Sequence, residues 1–186
     1  MKISKPIAII TGASTGIGKQ ISIKLSDNNY HVLLVSRKKS KLQEVEKQIK
    51  KDGNDCTSFS IDVSNEDQIN QLQPYVDNNH IDVLINNAGI GIFNGIQNIS
   101  EQEWDQQINT NLKGSFLMTK LVVDTMIRKK TGKIVFINSV AGLNPYPFSS
   151  AYVASKYGLR GFSASLREEL REHNIKVISI HPGAIN

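Results

Sequence analysis

The run Ile7-Ala8-Ile9-Ile10-Thr11-Gly12-Ala13-Ser14-Thr15-Gly16-Ile17-Gly18 constrains this chain more than any other stretch. It reads as a strand, a glycine-rich turn and the start of a helix. The apolar residues Ile7 to Ile10 suit a parallel strand covered on both faces. Gly12 permits a sharp turn, Gly16 lets backbone approach a ligand, and Gly18 lets the helix pack closely on the strand. A helix starting here points free N–H groups and a partial positive charge at the turn, which suits a diphosphate. The spacing is Gly-x-x-x-Gly-x-Gly, not Gly-x-Gly-x-x-Gly, and glycine-rich turns also occur in βα units that bind nothing.

Six short apolar runs mark candidate strands: Ile7–Ile10, Val32–Val35, Phe59–Ile61, Val83–Ile85, Ile134–Ile137 and Val177–Ile180. Segments of helical periodicity lie between them. This alternation predicts an α/β fold, a Rossmann-like doubly wound parallel sheet of order 3-2-1-4-5-6 with helices on both faces. No repeat, low-complexity tract or linker interrupts the series, and 186 residues suit a single domain over 1–186.

Composition removes several classes. No apolar run approaches the ~20 residues of a membrane span, and the first residues, Met1 to Pro6, hold no signal-peptide core. The single cysteine, Cys56, cannot form an internal disulfide, which fits a cytoplasmic protein. The net charge is +5, but the lysines are mixed with glutamates, as in Lys41 to Lys51. No basic stripe is interleaved with aromatics, which argues against nucleic acid as a partner. The four histidines show no metal-ligand spacing, so no metal is expected.

In a parallel sheet of this kind ligands bind at the carboxyl ends of the strands, so the residues at each strand end carry the chemistry. Strand two ends in Ser36-Arg37-Lys38-Lys39-Ser40-Lys41, with no acidic residue to accept a bond from a ribose 2′-hydroxyl. Cations near a helix start are disfavoured by the dipole; a 2′-phosphate would offset that, and Arg37 can grip it with two parallel hydrogen bonds. The pattern favours NADP(H) over NAD(H); the alternative is a solvated charge run. Strand three ends at Ile61-Asp62-Val63-Ser64. Asp62 meets an adenine amino group or caps the next helix, and Ser64 with Asp67 has capping-box spacing. Strand four runs into Asn86-Asn87-Ala88-Gly89: asparagines that tie a turn, then small residues that let the chain pass close to a ribose. Ser100 and Glu103 form another capping box, opening one long helix whose core face is Trp104, Ile108, Leu112, Met118 and Val122. Asn111 lies beside that stripe and needs polar partners if buried. Strand five ends at Asn138-Ser139. Tyr152 and Lys156 are four apart, on one face of a helix running to about His173; alone, such a pair is usually incidental.

Taken together the chain resembles the short-chain dehydrogenase/reductase family from about residue 6 onward. The resemblance rests on Thr11 to Gly18, Asn86-Asn87-Ala88-Gly89, the helical Asn111, Ser139, Tyr152-x-x-x-Lys156 and Pro182-Gly183, in the right order and context. It implies an oxidoreductase that moves a hydride between nicotinamide and a small carbonyl or secondary-alcohol substrate. Implied catalytic residues are Asn111, Ser139, Tyr152 and Lys156, with Ser139 and Tyr152 also on the substrate. Tyr152 is the general acid, Lys156 favours its phenolate and holds the nicotinamide ribose, Ser139 donates to the substrate oxygen, and Asn111 holds a relay water. The implied NADP(H) site comprises Gly12, Ser14, Thr15, Gly16, Ile17, Gly18, Ser36, Arg37, Lys38, Asp62, Val63, Asn86, Ala88, Gly89, Tyr152, Lys156, Pro182, Gly183 and Ile185. A homo-oligomer, dimer or tetramer, built on the helices carrying Asn111 and Tyr152 is also implied.

Two features depart from the family pattern. NADP-linked relatives often carry a basic residue where this chain has Thr15, so the NADP(H) reading rests on Arg37 and its neighbours. The sequence ends at Asn186, before the usual substrate-covering segment, further helix and seventh strand, and the expectation is a domain lacking them. The leading function is a carbonyl reductase or alcohol dehydrogenase. The alternatives are a 3-oxoacyl-acyl-carrier-protein reductase, whose basic, leucine- and methionine-rich loop is not seen at Ile90 to Gly95, and a cofactor-binding relative without turnover.

Overall fold

One sheet holds six strands, each overlapping one of the apolar runs: β1 (Ile7–Thr11), β2 (His31–Ser36), β3 (Cys56–Ser60), β4 (Val83–Asn86), β5 (Gly132–Ile137) and β6 (Ile175–Ile180). The computed structural model describes residues 3–184. Every pairing is parallel and the order is β3-β2-β1-β4-β5-β6, as the pattern predicts. Ile9 sits opposite Leu33 on one side and Leu84 on the other.

Alternation along the strands feeds two cores. Ile7, Ile9, Leu33, Leu84 and Phe136 pack on one face with Met118, Val122, Leu159 and Leu166. Ala8, Ile10, Leu34 and Ile85 pack on the other with Leu42, Val45 and Ile49. The helices that supply these layers are α1 (Gly16–Asp27), α2 (Lys39–Lys51), α3 (Glu66–Ile69), α4 (Gln73–Asn78), α5 (Glu101–Ile108), α6 (Gly114–Lys129) and α7 (Ser150–Leu170). α1 has the expected bounds, and α7 hands over to a short 3-10 turn at Arg171–His173.

Three local expectations are corrected. β3 runs over Cys56–Ser60, not Phe59–Ile61. It is an edge strand, half-buried and read as Cys-Thr-Ser-Phe-Ser, so its register against Val32–Ser36 fixes it rather than an apolar run. The turn after it is capped one residue late. Asp62 captures the Ser64 N–H (2.9 Å) and hydroxyl (2.7 Å), so Asn65 caps α3 by accepting from the Gln68 N–H. The long helix is two: five residues, Asn109–Lys113, form a π turn between α5 and α6. That turn absorbs the six-residue step from Leu112 to Met118, leaves Trp104 37% exposed, and buries Thr110 and Asn111 instead. The Ser100–Glu103 capping box forms as expected.

Candidate active site

The glycine turn is shaped by close contacts. Gly12 has φ +66° and a Cβ there would stand 3.0 Å from the Ala88 Cα. A Cβ on Gly18 would stand 2.4 Å from the Gly12 carbonyl oxygen, so α1 can approach β1 only without one. Gly16 also has a positive φ, +54°, but faces open space. Thr15 precedes α1 without a side-chain cap, and no acidic residue lies in the first turn. The first N–H groups of α1 therefore keep their capacity for an anion.

The next strand end is stitched to this turn. The Thr11 hydroxyl oxygen accepts from the Asn87 and Ala88 N–H groups, both at 2.9 Å, and donates to the Ile85 carbonyl at 3.3 Å. The Asn87 amide donates to the Thr11 and Gly12 carbonyls. Between turn and stitch opens a cleft of about 310 Å³. Ser14, Thr15, Ile17, Ser36, Arg37, Lys38, Val63, Ala88 and Gly89 line it with Gly12, as do Ile61, Asn87, Ile90 and Thr110, which were not assigned to the site from sequence. Period-2 alternation from Val63 points to Ile61; Thr110 had no signal beyond the broken helical spacing. A larger hollow of about 650 Å³, lined by Lys5, His80, Asp82 and Arg128 among others, lies at the opposite ends of β1 and β4, away from the ligand edge.

Other candidates sit beside the cleft or are tied up at its wall. Asp62 lines an adjoining hollow and lies 3.6 Å from the Arg37 guanidinium. Partial burial pushes its carboxyl up, but the two bonds from Ser64 and the Arg37 charge outweigh this and hold it below the ordinary aspartate value. Ser36 and Ser14 share a hydroxyl–hydroxyl bond of 2.8 Å across the two strand ends. Asn86 turns inward, its amide donating to the Thr119 hydroxyl at 3.2 Å. The Pro182 carbonyl accepts from the Val140 N–H, and Gly183 is exposed. Ile185 lies outside the described residues.

The first turns of α7 bring the chemistry together. The Lys156 ammonium stands 5.7 Å from the centre of the Tyr152 ring and donates to the Ile137 carbonyl at 3.1 Å. Lys156 is only 4% exposed, and burial pushes its pKa down to about 8. Asn111 reaches the same place from the π turn. Its amide donates to the Ile90 carbonyl and the Ser155 hydroxyl, each at 2.9 Å, and its oxygen accepts from the Ile90 N–H at 2.8 Å. Ser155 donates in turn to the Tyr152 carbonyl. At the end of β5, Ser139 starts a 3-10 turn (Val140–Gly142), its hydroxyl oxygen accepting from the Ala141 N–H at 3.1 Å. Phe93 packs edge-on against Tyr152, ring centres 5.5 Å apart. An uncharged hollow of about 430 Å³ lies at the start of α7, lined by Asn94, Gly95, Ile96, Gln97, Pro145, Tyr146, Phe148, Ser150 and Val153. Among the described residues no three His, Cys, Asp or Glu side chains are arranged to hold a metal, and no helix is long and apolar enough to cross a membrane.

The chain is similar along its length to known proteins. The model of the short chain dehydrogenase family matches residues 6–186. The chain is 33% identical over 97% of its length to a sepiapterin reductase of Chlorobaculum tepidum, covering 78% of that protein. It is 36% identical over its whole length to the 3-oxoacyl-acyl-carrier-protein reductase FabG of Staphylococcus aureus, covering 76%. A metagenomic short-chain oxidoreductase solved with NADP superposes with a TM-score of 0.91 at 39% identity, over 97% of this chain and 83% of that one. An NAD+-bound xylitol dehydrogenase superposes at 0.90 and 29% identity, over 96% and 70%.

Proposed function

The chain belongs to the short-chain dehydrogenase family of oxidoreductases, and from that premise we propose that it is an NADP(H)-dependent carbonyl reductase or alcohol dehydrogenase with Tyr152 as its general acid and base. The observation that carries this reading is the buried Lys156 ammonium, beside the Tyr152 ring and close to Gly89 of the cleft wall.

The residues present fit a dinucleotide. The uncapped start of α1 suits its diphosphate, and Ser36, Arg37 and Lys38 suit a 2′-phosphate. Asp62 suits the adenine amino group. Ala88 and Gly89 leave room for a ribose, and Lys156 can hold its hydroxyls. The cofactor supplies the hydride when bound. The chain's own task is to manage charge on the substrate oxygen. Tyr152 gives that oxygen a proton during reduction. A free phenol has a pKa of about 10, too high for easy exchange near neutrality; a nearby ammonium favours the phenolate. With its pKa near 8, Lys156 is mostly protonated at neutral pH. The Ser139 oxygen already accepts from Ala141, so its own O–H is free to donate to the substrate. The relay water assigned to Asn111 would pass Gly89. A Cβ at that position would lie 3.3 Å from the Asn111 oxygen and 3.7 Å from the Lys156 nitrogen, so a side chain there would narrow the passage.

The substrate we propose is a small, uncharged carbonyl compound, because no charged side chain lines the hollow at the start of α7, where Ser150 and Val153 flank Tyr152 in sequence. A carrier-protein-bound 3-oxoacyl group is the second reading, supported by the likeness to FabG and by the net charge of +5. A dimer or tetramer belongs to the same proposal: Phe116, 44% exposed on α6, packs edge-on against Phe162 of α7 and marks the helix pair that would meet a partner. The test is NADPH oxidation over a panel of ketones, aldehydes and a 3-oxoacyl thioester. Turnover that Tyr152→Phe abolishes while NADPH still binds is the expected result. Cofactor binding with no turnover on any substrate would instead mark a non-catalytic relative.

A further inference from the structure

The end of β6 does something for Ser139 that neither backbone ladder nor turn accounts for. β5 and β6 pair through Ile137 and Ile180, and two backbone bonds continue beyond: Asn138 N–H to the Ile180 carbonyl at 2.8 Å, and Val140 N–H to the Pro182 carbonyl at 3.0 Å. Pro182 has no N–H to return. At this point His181 supplies a donor from its side chain. Its Nδ1 lies 3.0 Å from the Ser139 carbonyl oxygen, and its Nε2 lies 3.1 Å from the Ser179 hydroxyl. The same carbonyl accepts from the Gly142 N–H at 2.9 Å, so both of its lone pairs are used, one from its own 3-10 turn and one from the neighbouring strand.

The chemistry fixes the imidazole's tautomer. A carbonyl oxygen can only accept, so Nδ1 carries the hydrogen; a neutral ring then leaves Nε2 to accept from Ser179. We propose that His181 is a positioning residue: its Nδ1–H holds the Ser139 carbonyl so that the Ser139 hydroxyl stays aimed at the substrate oxygen. This rests on the reading of Ser139 as the donor to that oxygen. The bond matters because a hydroxyl that stabilises developing charge must sit within a fraction of an ångström of its place. The Ala141 N–H fixes the Ser139 oxygen, the 3-10 turn fixes one side of its carbonyl, and His181 ties the other side to β6. Without His181, the two backbone bonds on either side still hold the strands, so the fold survives while the aim of the hydroxyl loosens.

The test uses three substitutions of one residue and one cycle. Asn places an amide donor where the Nδ1–H stands; Asp has the same shape but offers only acceptors. His181→Asn is expected to keep kcat within a few-fold of the parent, whereas His181→Ala and His181→Asp lower it by about tenfold or more, with KM and NADPH affinity changed little. In a Ser139→Ala background, His181→Ala is expected to cost nothing further, because there is no hydroxyl left to aim. A readout independent of turnover is the side-chain nitrogen NMR spectrum, where His181 is expected as the Nδ1–H tautomer. Equal losses in the Asn and Asp variants, additive losses with Ser139→Ala, or an Nε2–H tautomer would each overturn the proposal. Full turnover in Tyr152→Phe or in Ser139→Ala would instead overturn the catalytic reading beneath it, and the tautomer would still report whether His181 holds the Ser139 carbonyl.

Discussion

Lys156 gives the sharpest quantitative test of how this site is built. Its ammonium is held in the interior with one backbone carbonyl as its hydrogen-bond acceptor and, among the described residues, no carboxylate ion-paired to it. Burial lowers its pKa from 10.5 to about 8. That drop corresponds to about 3 kcal/mol of extra cost for the charged form in the folded state. Below pH 8 folded and unfolded chains both hold the proton, and the cost is fully present. Between pH 8 and 10.5 the unfolded chain binds more protons than the folded one, so stability rises with pH. Above that window neither form is charged and the cost is gone. Lys156→Met keeps most of the stem volume and removes the charge, but takes a donor from the Ile137 carbonyl, a loss of about 1 kcal/mol. The expected balance is a gain of about 2 kcal/mol at pH 7 that falls through zero to a loss of about 1 kcal/mol by the alkaline end of the window, where only the missing donor counts. Urea unfolding of both proteins followed by circular dichroism at pH 7, 8, 9 and 10 reads the difference directly. A variant less stable than the parent at pH 7, or a difference that does not change with pH, would refute the reasoning. The same variant is expected to lose turnover, since the group that destabilises the fold is the one proposed to favour the Tyr152 phenolate.

Other substitutions probe the cleft. Gly18→Ala forces a Cβ to 2.4 Å from backbone, so loss of several kcal/mol and of NADPH binding is expected, whereas Gly16→Ala meets no atom within 4 Å and costs only the ~1–2 kcal/mol of a left-handed backbone. Thermal melts separate the two, and similar melting losses would contradict this account. Thr11→Val leaves the Asn87 and Ala88 N–H groups without their acceptor, so a loss of about 2–4 kcal/mol in urea unfolding is expected, together with weaker NADPH binding. Arg37→Asp is expected to weaken NADPH by roughly 10- to 100-fold in a fluorescence titration and to leave NADH nearly as before. Tighter binding of NADH than NADPH by the parent would remove Arg37 from its assigned role.

Much of the fold was legible because buried parallel strands write themselves as apolar runs. Five of the six strands overlap such a run closely, and the alternation with helices leaves little freedom in their order. β3 was misplaced because an edge strand needs one neighbour and one covered face; Cys56, Thr57 and Ser58 satisfy this by pairing with Val32, Leu33 and Leu34, which no local pattern records. The shift of the α3 cap has a similar cause. Ser64, Asn65 and Asp62 are all competent capping residues, and the choice among them depends on where β3 delivers the chain.

The site was legible where a residue acts through its own backbone, and illegible where it acts through another segment. Gly12 and Gly18 announce themselves by spacing. Nothing local says that Asn111 would lie in a π turn, yet that turn decides its role. The wider turn rotates Thr110 and Asn111 inward, where an ordinary helix would have continued the stripe from Trp104. Once inside, the Asn111 amide meets the Ile90 N–H and carbonyl together, as a neighbouring strand would. This pins the loop just past Gly89 and brings that glycine between the Asn111 oxygen and the Lys156 ammonium. Three elements distant in sequence therefore meet at one residue with no side chain: the strand end at Gly89, the broken helix at Asn111 and α7 at Lys156. The constraint on residue 89 is set jointly by all three. A Cβ at this exposed position would crowd the Asn111 oxygen at 3.3 Å and touch the Lys156 nitrogen at 3.7 Å, a constraint that only the π turn and the buried lysine together impose.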